Sequence, residues 1–120
     1  MEPHELASLI ADVLDEKKAS DISLLDVGDL LQICEVFVIA SGGSRRQVLT
    51  LAEEVELRVK THDRRALRVE GREDAEWVLI DFGDVVVHVF QPPTRDFYSL
   101  ERLWGDAPRL AWEPATSDTV

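Results

Sequence analysis

Cysteine occurs once in these 120 residues, as Cys34 among Ile33, Val36 and Phe37. A lone thiol forms neither an internal disulfide framework nor a multi-cysteine zinc site, and in apolar company it reads as a small core residue. Long apolar runs are missing too: no window approaches the roughly 20 residues that a membrane-spanning helix needs, so no membrane partner is expected. The opening Met1-Glu2-Pro3-His4-Glu5 is acidic where a secretory leader would be basic, which makes a cytoplasmic protein the expectation. HxxxH, CxxC and EF-hand spacings do not occur, so no metal and no cofactor is expected. Cations are scarce as well: 13 Lys and Arg face 24 Asp and Glu, a net charge of −11. Nucleic acids are bound chiefly by Lys and Arg that displace counterions from phosphates, so direct nucleic-acid binding is disfavoured.

What remains is the material of one domain. With 45% hydrophobic and 31% charged residues, a chain of this length buries a self-sufficient core. Its acid is unevenly placed: Glu73, Asp74, Glu76, Asp81 and Asp84 fall between positions 73 and 90, where there is no Lys or Arg. Such a surface favours encounter with a basic partner.

Leu6, Leu9, Ile10, Val13 and Leu14 have the spacing of one helical face and predict a helix over residues 3–18. The runs 22–27 and 35–40 read as strands separated by Gly28-Asp29, the second apolar enough to lie inside a sheet. After the glycine-bearing turn 41–47, Ser44 and Gln47 have capping-box spacing, and Val48, Leu51, Ala52, Val55 and Val59 form the face of a second helix that fades near His62-Asp63. Leu67 to Glu70 is a third strand, ended by Gly71. Residues 77–82 and 85–90 form a hairpin turning at Gly83-Asp84, which Pro92-Pro93 stops. A third helix over 94–104 follows, with Phe97, Leu100, Leu103 and Trp104 apolar. Residues 1–108 then make the domain and 109–120 a loose tail. The order α-β-β-α-β-β-β-α implies an α/β mixed sheet with flanking helices.

Alternation on the hairpin puts Trp77, Leu79 and Asp81 on one face and Val78, Ile80 and Phe82 on the other. A sheet covered by helices on one side leaves the first set free to meet a partner, and Trp and Tyr are the commonest interface anchors. Tyr98, off the apolar stripe of the last helix, is expected to be partly exposed. His88 reads as a structural histidine, since catalysis would need a positioned substrate and an orienting acid. An enzymatic alternative, magnesium-dependent nucleotidyl or phosphoryl transfer, would use Gly42-Gly43-Ser44 as a phosphate cradle with Asp81 and Asp84 on the metal. Its geometry is unfavourable: no D-x-D follows the turn, and no P-loop lysine is present.

The blocks Phe37-Val38-Ile39-Ala40-Ser41-Gly42, Ser44-Arg45-Arg46-Gln47-Val48, Leu67 to Gly71, Trp77 to Phe90 and Arg95 to Asp106, in this order, resemble the ribosomal silencing factor family, RsfS or Iojap. The resemblance implies a nucleotidyltransferase-like fold without catalytic acids, and an adaptor rather than an enzyme. It implies binding to ribosomal protein L14 (uL14) on the large subunit, which blocks subunit joining and represses translation under nutrient limitation; relatives in organelles serve large-subunit assembly, and some members form homodimers. By position, Trp77 and Tyr98 are the implied anchors on L14, Leu79, Asp81 and Asp84 flank them, and Leu100 and Trp104 of the C-terminal helix complete the implied L14 site, more by packing than by contact. Cys34-Glu35-Val36 departs from the Thr-Asp-Tyr or Thr-Asp-Cys that many members carry at this point.

Overall fold

A computed structural model describes residues 1–113. In chain order the elements are α1 (Pro3–Glu16), β1 (Ser20–Asp26), β2 (Val36–Ser41), α2 (Arg45–Lys60), β3 (Arg68–Glu70), β4 (Trp77–Asp81), β5 (Val85–Phe90), α3 (Pro92–Tyr98) and α4 (Leu100–Leu103). The five strands form one sheet in the order β1-β2-β5-β4-β3. The central β2–β5 pair is parallel and the other pairs are antiparallel, so the sheet is mixed, as the element order implied.

α1 buries Leu6, Ile10, Val13 and Leu14 on the predicted stripe. It stops at Glu16, two residues short of the predicted end, because Lys18 takes a left-handed φ of 68°. Two backbone bonds, Lys18 N–H to Asp15 O and Ala19 N–H to Leu14 O, then close the last turn without a glycine. At the start of α2, Ser44 Oγ accepts the Gln47 N–H at 3.1 Å as predicted. Gln47 does not return the bond to Ser44; its side chain accepts from Gly43 N–H at 2.7 Å and donates to Lys18 O at 3.0 Å, tying α2 to the end of α1.

α1 and α2 cover one face of the sheet. There Val36, Val38, Ala40, Val78, Ile80, Val85, Val87 and Val89 meet Leu6, Ile10, Leu14, Leu51, Val55 and Val59 in the larger core cluster, which also takes in Phe82. The other face is not simply open. Leu25, Ile39 and Phe90 are buried there with Val27, Cys34 and Ala107, beneath Leu31, Leu100 and Trp104 from the segment 27–35 and α4. Helix and loop thus cover the β1–β2 side, and β4 keeps the less covered part.

The predicted helix over 94–104 is two short pieces. Ser99, at φ 47°, breaks it, with its N–H on Arg95 O and its hydroxyl on Asp96 O. Phe97 and Leu103, expected on an apolar stripe, consequently stand 80% and 70% exposed. Of the expected tail, residues 109–113 lie along the domain: Arg109 bridges Leu25, Leu110 N–H donates to Leu24 O, and Trp112 Nε1–H reaches Asp12 at 2.9 Å. The rest of it, 114–120, lies outside the described residues.

Candidate partner-binding face

β4 alternates half-buried and buried positions, so Trp77, Leu79 and Asp81 share one face while Val78 and Ile80 enter the core. That much follows from the two-residue period of a strand. What holds Trp77 in place comes from β5 and α3. Its Nε1–H donates to His88 Nδ1 at 3.1 Å, and its ring stacks on Phe90 with centroids 5.0 Å apart and lies 4.9 Å from Tyr98. Because Nδ1 accepts, the neutral imidazole carries its proton on Nε2. That Nε2 is buried and finds no partner among the described residues. Burial pushes the His88 pKa down to about 4, so the ring is neutral at physiological pH and serves as a fixed acceptor for the indole.

The rings continue on both sides. Phe37 meets His88 edge-on at 4.7 Å and Trp104 at 5.9 Å; at the other end Phe97 stands nearly perpendicular to Tyr98 at 5.0 Å. An aromatic tract therefore runs from the covered end of the sheet, at Trp104, to the solvent, at Tyr98 and Phe97. Trp104 and Leu100 pack against the smaller core cluster and support the face from the side. Beside Leu79 the surface sinks into a hollow of about 390 Å³, lined by Leu31, Phe37, Val86 and His88, with the exposed Ile33 and Leu67 at its rim.

The carboxylates are less free than the sequence suggested. Asp81 accepts from Arg68 Nε at 3.2 Å and from the Gly83 N–H at 2.8 Å, the second bond shaping the hairpin turn. Asp84 is held by both terminal nitrogens of Arg64, at 2.7 and 3.4 Å. Each aspartate of the enzymatic alternative is thus committed to a guanidinium. The Gly42 turn is tight for a packing reason, since a Cβ there would lie 3.0 Å from Val48 Cγ2. Among the described residues no group of three or more His, Cys, Asp or Glu is placed to hold a metal ion. Cys34 is buried, and desolvation raises its thiol to about 11, the behaviour of a core residue.

A second polar group organises the end of the face. Arg95, only 9% exposed, donates from Nη1 to Ser41 Oγ at 2.8 Å and from Nε to Glu101 Oε1 at 2.9 Å. Glu101 also accepts from Ser23 Oγ at 3.0 Å and lies 3.5 Å from Arg109. Burial alone would raise the Glu101 carboxyl, but the hydrogen bond and charge of Arg95, aided by Ser23 and Arg109, hold it below its ordinary value. Neither this clamp nor the exposure of Phe97 was visible from the sequence, because an unbroken helical period over 94–104 concealed the turn at Ser99.

Fold and face together define a small α/β domain with a supported aromatic surface on an acidic body. The family described as ribosomal silencing factor during starvation (RsfS) matches residues 1–119, and the chain belongs to it. It is 41% identical over 117 residues to the ribosomal silencing factor RsfS of Halalkalibacterium halodurans, covering 98% of this chain and all of that one. A crystal structure of a Chromobacterium violaceum protein superposes with a TM-score of 0.85 at 37% identity, covering 98% of each chain. More distantly, the mouse protein named mitochondrial assembly of ribosomal large subunit protein 1 is 29% identical over 99 residues, a match that spans 43% of its length.

Proposed function

We propose that this chain is an adaptor that binds ribosomal protein L14 (uL14) on the large subunit through the Trp77 face, and so keeps the small subunit from joining and lowers translation when nutrients fall. The observation that carries this reading is the Trp77–Tyr98 pair. Two large rings 4.9 Å apart, one half-buried and hydrogen-bonded, the other half exposed, form a rigid anchor that loses little conformational entropy on binding. Leu79 extends the contact, Asp81 and Asp84 lie at its margin, and Leu100 with Trp104 support it from the side. The mechanism is occupancy of a joining surface by a folded cytoplasmic domain and requires no catalysis. A net charge of −11 suits a basic ribosomal protein and is repelled by the surrounding rRNA, which suppresses misplaced binding.

Sedimentation tests the proposal. Added protein should comigrate with isolated large subunits and reduce the yield of joined ribosomes from mixed subunits; failure of both removes it. The name of the mouse relative favours a second reading, in which the same contact guides large-subunit assembly. Depletion separates the two: accumulation of immature large subunits in growing cells supports assembly, whereas normal subunits with persistent translation in starved cells support silencing. Homodimers, which would set how the face is presented off the ribosome, are checked by the concentration dependence of light scattering.

A further inference from the structure

We propose that the notch between Glu76 and the outer side of α3 is a socket for a cationic side chain, lysine or arginine, of the protein partner. The inference rests on the partner-binding reading above and adds to it a chemistry and two residues, Glu76 and Phe97. The notch measures about 300 Å³ and is lined by Glu76, Pro93, Thr94, Phe97 and Tyr98. Phe97 is 80% exposed and Tyr98 50%, with their planes 73° apart, so ring surface of this corner faces solvent. The face of an aromatic ring is the negative end of its quadrupole and attracts cations.

Glu76 supplies the counter-charge. Its side chain is exposed, and no hydrogen bond or ion pair engages its carboxylate among the described residues. Its backbone is nonetheless fixed, since Glu76 O accepts the Gln91 N–H at 2.9 Å at the point where α3 begins. The sole cation of α3, Arg95, is turned inward to Ser41 and Glu101 and leaves this side unneutralised, while Asp96 on the same helix adds a further exposed acid. A cationic side chain would lay its aliphatic arm along Pro93 and Phe97 and bring its head to Glu76. A neutral apolar side chain would desolvate that carboxylate without pairing it, which selects against such an occupant.

The test has a ribosome-free arm. The folded chain is titrated with acetyl-arginine methylamide, its lysine counterpart and the neutral citrulline counterpart while NMR signals are followed. The Glu76 amide and the ring signals of Phe97 and Tyr98 should move with the cationic compounds and stay still with citrulline. The response should vanish in Glu76→Gln and Phe97→Ala, exposed positions whose unfolding temperatures should match wild type. An equal response to citrulline, or none at saturating compound, overturns the socket. In the second arm each variant should weaken binding to isolated large subunits by about threefold or more. Unchanged binding in both variants overturns the socket and spares the function; a wild-type chain that ignores large subunits overturns the function, and the compound titration alone then decides the socket.

Discussion

At the scale of single residues, His88 and Trp77 are one unit. The fold keeps His88 neutral by burying it, whereas an unfolded chain protonates the same ring from its ordinary value of 6.5 downward. Stability is therefore full above pH 6.5 and is lost as pH falls toward 4, by roughly 3 kcal/mol from this group. Urea unfolding across that range, compared with His88→Phe, should show the slope in wild type and a flatter line in the variant. Trp77→Phe keeps a ring over Phe90 and Tyr98 but leaves His88 Nδ1 without a donor; a loss of about 1–3 kcal/mol in stability is expected. Because Trp77 is half-buried, Tyr98→Ala is the cleaner probe of binding. It should weaken association with large subunits by about 2 kcal/mol while the unfolding midpoint holds. The outward phase of Trp77 was legible from alternation along β4. Its partner was not, because a cross-strand hydrogen bond depends on register, which local sequence does not state.

Among the elements, the α3–α4 corner is set by charge as much as by helical propensity. A non-glycine residue with φ near 47° costs on the order of 1 kcal/mol, and Ser99 is kept there by its own bonds to Arg95 O and Asp96 O and by the Arg95–Glu101 clamp that closes over it. Arg95→Ala leaves the Glu101 carboxylate with only Ser23 and the more distant Arg109 and should cost about 2 kcal/mol of stability, with hydrogen exchange rising first across 95–104. Gly71 limits the other end of the face. It has φ 91°, and a Cβ there would lie 2.0 Å from Trp77 O, so Gly71→Ala must displace the start of β4. A loss above ~2 kcal/mol, read by thermal unfolding, is the expected result. The strands, α1, α2 and the hairpin turn were readable because apolar period and turn residues agreed. The corner was not, since two long-range partners, Ser23 and Ser41, decide it together with Arg109.

For the whole molecule, an acidic body presents an aromatic tract whose nearest aspartates already hold arginines. The body should therefore steer association while Asp84 contributes mainly to folding. Raising salt should slow binding to large subunits more than it speeds release, and Asp84→Asn should cost roughly 1 kcal/mol of stability with little change in affinity. The sign of the net charge and the mixed sheet were plain from composition and element order. The pairing of Asp84 with Arg64 was hidden by their separation of 20 positions along the chain. The stretch from Pro108 onward also seals part of a sheet edge. Asp26 N–H donates to Pro108 O and Leu110 N–H to Leu24 O, so the outer rim of β1 is occupied from Leu24 to Asp26, while the opposite rim, β3, is three residues long and carries Arg68 and Glu70. Among the described residues, neither border of the sheet offers a long bare row of amides to a neighbouring chain. A chain cut before Pro108 loses both bonds and should become its own template, polymerising through β1, with turbidity growing well below its unfolding temperature.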